Sequence, residues 1–65
     1  MQYQELLMEQ QVFNLYGFTL AWLRRTRREG RGPRFLKLGK MVRYRRSDVE
    51  AYLKAHTVEP KVRPE

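Results

Sequence analysis

Thr19-Leu20-Ala21-Trp22-Leu23-Arg24-Arg25-Thr26-Arg27-Arg28-Glu29-Gly30 reads as one short helix. Thr19 is its expected N-cap, because a threonine hydroxyl can accept from an otherwise unpaired amide of the first turn. Gly30 is its expected stop, since glycine enters the left-handed region at little steric cost. Between them Trp22, Leu23 and Thr26, three and four residues apart, form a semi-apolar stripe, and Arg24, Arg25 and Arg28 fall largely off it. Like charges at these spacings cost roughly a few tenths of a kcal/mol per pair. A helix selected only for stability would not carry them, whereas a helix that lies against a polyanion would.

Upstream, Met8, Val12, Leu15 and Tyr16 recur along one helical face, widened by Phe13, over Met8 to Tyr16. Glu9 in the first turn suits the helix dipole, and Gly17 ends the helix. Phe18 is expected in the core. Two helices joined by about three residues that include glycine form a helix-turn-helix. Met1 to Leu7 is a lead-in, with Leu6 and Leu7 expected to dock on the core.

Downstream, Gly32-Pro33 breaks the chain, and Phe35 to Arg45 reads as a β-hairpin around Gly39. A three-residue turn, Gly39-Lys40-Met41, would pair Leu38 with Val42 and Leu36 with Tyr44. That register gathers the apolar residues on one side and is therefore the expected one. It sets Lys37 beside Arg43, which costs stability unless an anion lies there, and it exposes Phe35, while Tyr44 packs in the core. Ser47-Asp48-Val49-Glu50 reads as a capping box opening a third helix to about His56, with Val49, Tyr52 and Leu53 inward. The reading is α+β, mainly helical: one domain over residues 1–56 and a flexible tail over residues 57–65, which holds Pro60 and Pro64.

Charge and composition narrow the function. The chain has 65 residues and a net charge of +7. Residues 24–46 hold eleven of the 14 Lys and Arg residues but one of the seven Asp and Glu residues, so the remainder is net acidic. Such segregation is the electrostatic footprint of a nucleic-acid binder. A domain this small buries only about 60% of its unfolded surface and has little room for a deep pocket. Glu29 and Asp48 do not form a catalytic pair, so no enzyme is expected. There is no cysteine and one histidine, His56, so no metal and no cofactor is expected. No apolar run approaches the roughly 18 residues of a membrane span. Gln2, Gln4 and Glu5 do not read as a signal peptide, and the expected location is the cytoplasm.

The string Val12…Leu15-Tyr16-Gly17-Phe18-Thr19…Leu23…Arg28-Glu29-Gly30…Gly32-Pro33…Lys37-Leu38-Gly39…Val42-Arg43-Tyr44-Arg45-Arg46-Ser47-Asp48-Val49-Glu50-Ala51-Tyr52-Leu53 resembles the excisionase/AlpA-type family. These small proteins are related to the DNA-binding domain of MerR regulators, and the likeness spans about residues 6–54. It implies a winged helix-turn-helix with three short helices and a two-stranded hairpin wing. The second helix would enter the major groove, and the wing would lie on the adjacent backbone or minor groove. It further implies a sequence-specific, DNA-bending phage excisionase, a recombination directionality factor. As partners it implies double-stranded DNA, a tyrosine- or serine-family integrase and side-by-side copies on DNA of a protein that is a monomer when free, with no membrane partner, in a bacterial cytoplasm or nucleoid. A small AlpA-type regulator of prophage genes, an RNA-binding basic module and a protein-interaction module are the alternatives. Phe13 and Trp22 are larger than is usual in the family and Thr26 smaller, so the first two are expected to fill the volume at Thr26.

Residue by residue, Arg24, Arg25 and Arg28 are the expected groove contacts, since arginine can fork onto guanine O6 and N7. Thr19, at the helix N-terminus, is expected to hold a phosphate. Lys37, Lys40, Arg43 and Arg45 in the wing should follow phosphates or enter a narrowed minor groove, with Arg46 as a backbone clamp. Arg27 is expected to pack its stem on the domain or meet phosphate. Glu5, Glu9, Glu50 and Glu59 are the acids that could face a neighbouring copy.

Overall fold

The computed structural model describes residues 5–60. The order is β1 (Leu6–Leu7), α1 (Glu9–Tyr16), α2 (Leu20–Arg28), β2 (Leu36–Leu38), β3 (Met41–Arg45) and α3 (Arg46–Ala55). The buried core takes one apolar side chain from every element except β2: Leu7, Val12, Leu23, Tyr44 and Val49. Burying a side chain of this size contributes about 1.5–3 kcal/mol, and the partly buried Tyr16, Phe18, Trp22 and Val42 pack against these five. Because β2 adds nothing to the core, the hairpin projects as a wing.

The helix-turn-helix follows the local signals. Gly17 sits at φ +84 and donates its amide to the Phe13 carbonyl at 2.8 Å, closing α1. The Thr19 hydroxyl accepts from the Trp22 amide at 3.1 Å and opens α2. Met8 heads α1 without a hydroxyl; the Gln11 side chain reaches back instead and accepts from the Met8 amide at 2.8 Å.

Several expectations are corrected. The wing turns on two residues, Gly39 and Lys40, with Leu38 opposite Met41, Lys37 opposite Val42 and Leu36 opposite Arg43. Gly39 lies at φ +64, and no non-glycine residue has positive φ among the described residues. That combination marks a type II′ turn, whose twist matches a hairpin. Apolar sorting fixes register only where one face is buried. In this wing only Tyr44 is fully buried, so the turn decides. Lys37 and Arg43 are consequently not cross-strand neighbours. Leu6 and Leu7 form a third strand, β1, paired with Arg45 and Tyr44 of β3, giving the order β1-β3-β2. Leu7 docks in the core as expected, whereas Leu6 stays half-exposed.

The box at Ser47–Glu50 does not head α3. The helix starts at Arg46 with Arg45 as N-cap, because β3 runs into it without a loop. The Arg46 amide donates to the Glu5 carbonyl at 3.4 Å, and Glu50 accepts from the Tyr16 hydroxyl at 3.2 Å. The expected volume exchange fails for Phe13, which is 41% exposed. Trp22 stacks on Phe18 at 4.8 Å and meets Tyr52 edge-on, and the backbone of Gly32 occupies the space beside Thr26. Of the lead-in and the tail, residues 1–4 and 61–65 lie outside the described residues, and residues 57–60 have no regular structure.

Candidate nucleic-acid interface

Successive α-helical residues are about 100° apart. With Leu23 and Thr26 buried on the inward face of α2, the opposite face presents Ala21, Arg24, Arg25 and Arg28, all exposed. The three arginines expected to act together are therefore side by side. Ala21, at the centre of their arc, escaped the sequence reading because it carries no charge; the helical angle alone would have placed it there.

Arg27 lies at the inner edge. Its Nη1 donates to Glu9 at 2.9 Å and to the Tyr44 hydroxyl at 2.8 Å, and its guanidinium stands 5.8 Å from the centre of the Phe35 ring. One side chain thus ties α1, α2 and the base of the wing together. Burial opposes the charge of Arg27, but Tyr44 and Glu9 more than compensate and hold its pKa above the usual value. Burial pushes the Tyr44 hydroxyl up, and the neighbouring Arg27 only partly offsets it, so the phenol stays neutral.

Glu9 also accepts from Arg24, through both carboxylate oxygens at 3.3 Å. Burial would raise the Glu9 pKa, but hydrogen bonds and charge from Arg24 and Arg27 outweigh it and hold the carboxyl below 4.5. A carboxyl depressed in the folded state adds stability that is present above the unfolded value and lost as pH falls through the folded one. The melting temperature should accordingly drop as pH is lowered below about 4.5, and Glu9→Gln should flatten that drop in a circular-dichroism melt series. An unchanged acid limb in the variant would contradict this assignment.

The remaining cations divide into groups. A groove between α2 and the turn end of β3 brings together Arg24, Arg27, Lys40, Met41 and Arg43, with Glu9 also lining it. Arg43 donates to the Val42 carbonyl at 2.8 Å and to the Met41 Sδ at 3.6 Å. Arg45 lies elsewhere, beside Arg31, Arg34 and Phe35, and pairs with Asp48 at 3.4 Å. Glu29 bridges Arg31 at 2.6 Å and Arg25 at 3.2 Å, and those two hydrogen bonds, Arg31's first, lower its pKa. Arg46 is held by Glu5 at 2.7 Å and touches the Tyr16 hydroxyl at 3.5 Å, and the Glu5 bond raises its pKa. Arg28, Lys37 and Lys40 have no hydrogen-bond or ion-pair partner among the described residues. Of the acids expected to face a neighbour, Glu5, Glu9 and Glu50 are already engaged within the chain.

Among the described residues, no helix is long and apolar enough to cross a membrane, and no three His, Cys, Asp or Glu residues are grouped to hold a metal ion. A family model described as a helix-turn-helix domain matches residues 9–57. Neither a curated protein nor a solved structure matches the chain.

Proposed function

The chain belongs to the helix-turn-helix domain family, and on that premise we propose that this DNA-binding protein is a sequence-specific, DNA-bending architectural factor of the excisionase type. The observation that carries the reading is the outward face of α2, Ala21, Arg24, Arg25 and Arg28, continuous through Arg24 with the groove that holds Lys40 and Arg43. A rod of arginines fits a major groove, which admits one α-helix. The Arg24–Lys40–Arg43 groove beside it presents three cations to the flanking phosphates.

In this reading Arg24, Arg25 and Arg28 face base edges, and the Thr19 end of α2 meets a phosphate. Lys37, Lys40 and Arg43 follow the backbone across the wing. Arg45 and Arg46, each held by an acid, act from the periphery: Arg45 with Arg31 and Arg34, Arg46 as a strut between Glu5 and Tyr16. The role in recombination, beside an integrase and neighbouring copies, rests on the resemblance of the Lys37–Leu53 block. Residues 1–56 would act as the binding unit and residues 57–65 as a tail.

Two measurements test it. Footprinting on the DNA around the gene should reveal repeated sites at helical phasing flanking a recombination core; a lone site in a promoter would favour the regulator reading. If about six cations meet phosphates, log affinity should fall with log salt at a slope of about −5, and a slope shallower than about −2 would refute the interface.

A further inference from the structure

The two-residue turn leaves the tip of the wing with an unexplained feature. Leu38 and Met41 face each other across Gly39-Lys40, on the wing face that also carries Leu36 and Arg43. They are 45% and 51% exposed and belong to no core. They do not stand alone: Lys40 sits between them in sequence, Met41 shares the groove with Arg24, and Arg43 steadies the Met41 thioether from behind. An apolar pair at the end of a projecting hairpin, ringed by cations, suits an occupant that is polyanionic outside and apolar within.

We propose that Leu38 and Met41 form an apolar wedge that enters the minor groove of duplex DNA and parts a base step, and that this insertion is the source of the bend. The inference rests on the DNA-binding reading above and adds its mechanical step. Leucine and methionine are among the side chains that unstack base steps from the minor groove, kinking the duplex toward the major groove. The cations Lys37, Lys40 and Arg43 hold the flanking phosphates while the wedge acts, and α2 occupies the adjoining major groove. Pyrimidine–purine steps, above all TA, open most easily.

The test uses the full chain and an A·T-rich duplex of about 30 base pairs with a central TA step, labelled at both ends for energy transfer and with 2-aminopurine at the step. The parent protein should bend it by an angle on the order of 20–90° and brighten the 2-aminopurine. Leu38→Ser/Met41→Ser should leave the duplex nearly straight and the fluorophore stacked, weaken binding roughly tenfold and leave the salt slope unchanged. Both positions lie outside the core, so the melting temperature of the double variant should match the parent, and Met41→Leu should keep the bend. A double variant that bends DNA as the parent does overturns the wedge while leaving DNA binding intact. So does one that bends normally but loses side-by-side copies, which would assign the patch to protein contact. No uptake of duplex by the parent at low ionic strength would overturn the underlying reading as well.

Discussion

Arg24→Ala/Arg25→Ala/Arg28→Ala is expected to fold as well as the parent and to lose duplex binding by at least about a hundredfold. A good arginine fork on guanine is worth about 1–3 kcal/mol of discrimination, and two lost forks suffice for that factor. Stability should move little, because small losses and small gains offset each other. The three side chains are exposed; Arg24 and Arg25 make ion pairs at side-chain exposures of 60% and 64%, and pairs this open contribute about 0–1 kcal/mol. Against that small loss stands relief of like-charge repulsion between Arg24 and Arg28 and between Arg25 and Arg28, at roughly a few tenths of a kcal/mol each, together with alanine's higher helix propensity. Single variants separate the roles. A base-reading arginine, once replaced, should relax specificity at one position of the site, whereas a phosphate contact should weaken all sequences alike and reduce the salt slope by about 1. Fluorescence anisotropy at several salt concentrations, alongside thermal melts, reads both quantities. A triple variant that binds within a factor of about three of the parent would remove α2 from the interface.

Wherever a local rule acts alone, the amino-acid sequence is a sufficient guide. The Thr19 hydroxyl caps α2, and Gly17 takes the left-handed turn that separates the two helices. The outward arginines follow from the helical angle once Leu23 is placed inward. Elsewhere two rules compete and tertiary context decides. In the wing, apolar sorting competes with turn geometry and loses, because a projecting hairpin has little burial to sort by. At the start of α3 the helix opens ahead of the Ser47 pattern, because β3 passes directly into α3 and Glu5 supplies the acceptor for the Arg46 amide. A strand as short as β1 leaves no period to read, and its partner lies far along the chain. The inward place of Arg27 follows from the same helical angle, but its partners do not: a buried phenol needs a hydrogen-bond partner, and Tyr44 finds it in Arg27 from a distant part of the chain.

Gly32→Ala is expected to be the most destabilising single methyl that can be added to this chain's glycines. Gly32 lies at φ +88, where a side chain strains the backbone by about 1–2 kcal/mol. A Cβ at that position would also stand 2.6 Å from Thr26 Oγ1 and 2.8 Å from Thr26 Cβ. Thr26 has nowhere to retreat: it is buried, and its hydroxyl donates to the Leu23 carbonyl at 3.1 Å. The loop cannot easily lift away either, because the Arg31 amide is bonded to the Thr26 carbonyl at 2.8 Å. Overpacking of this kind costs about 1–3 kcal/mol more, for a total of roughly 2–5 kcal/mol in a domain whose stability is marginal. At about 4–8 °C per kcal/mol for a chain of this size, the melting temperature should fall by about 10 °C or more. Gly30→Ala is the internal comparison, since Gly30 also has positive φ, +74, but nothing within 4 Å of a built Cβ. It should lose only the backbone strain. Thr26→Ala in the Gly32→Ala background should recover part of the loss, because it removes the Oγ1 contact but leaves the Cβ contact. Equal melting temperatures for Gly30→Ala and Gly32→Ala would show that the loop relaxes freely. The difference matters for binding as well as folding, since residues 29–35 connect α2 to the wing and set the spacing between the arginine face and the hairpin tip. A Gly32→Ala protein studied below its melting temperature should therefore bind duplex more weakly than its folded fraction predicts, whereas Gly30→Ala should follow its folded fraction.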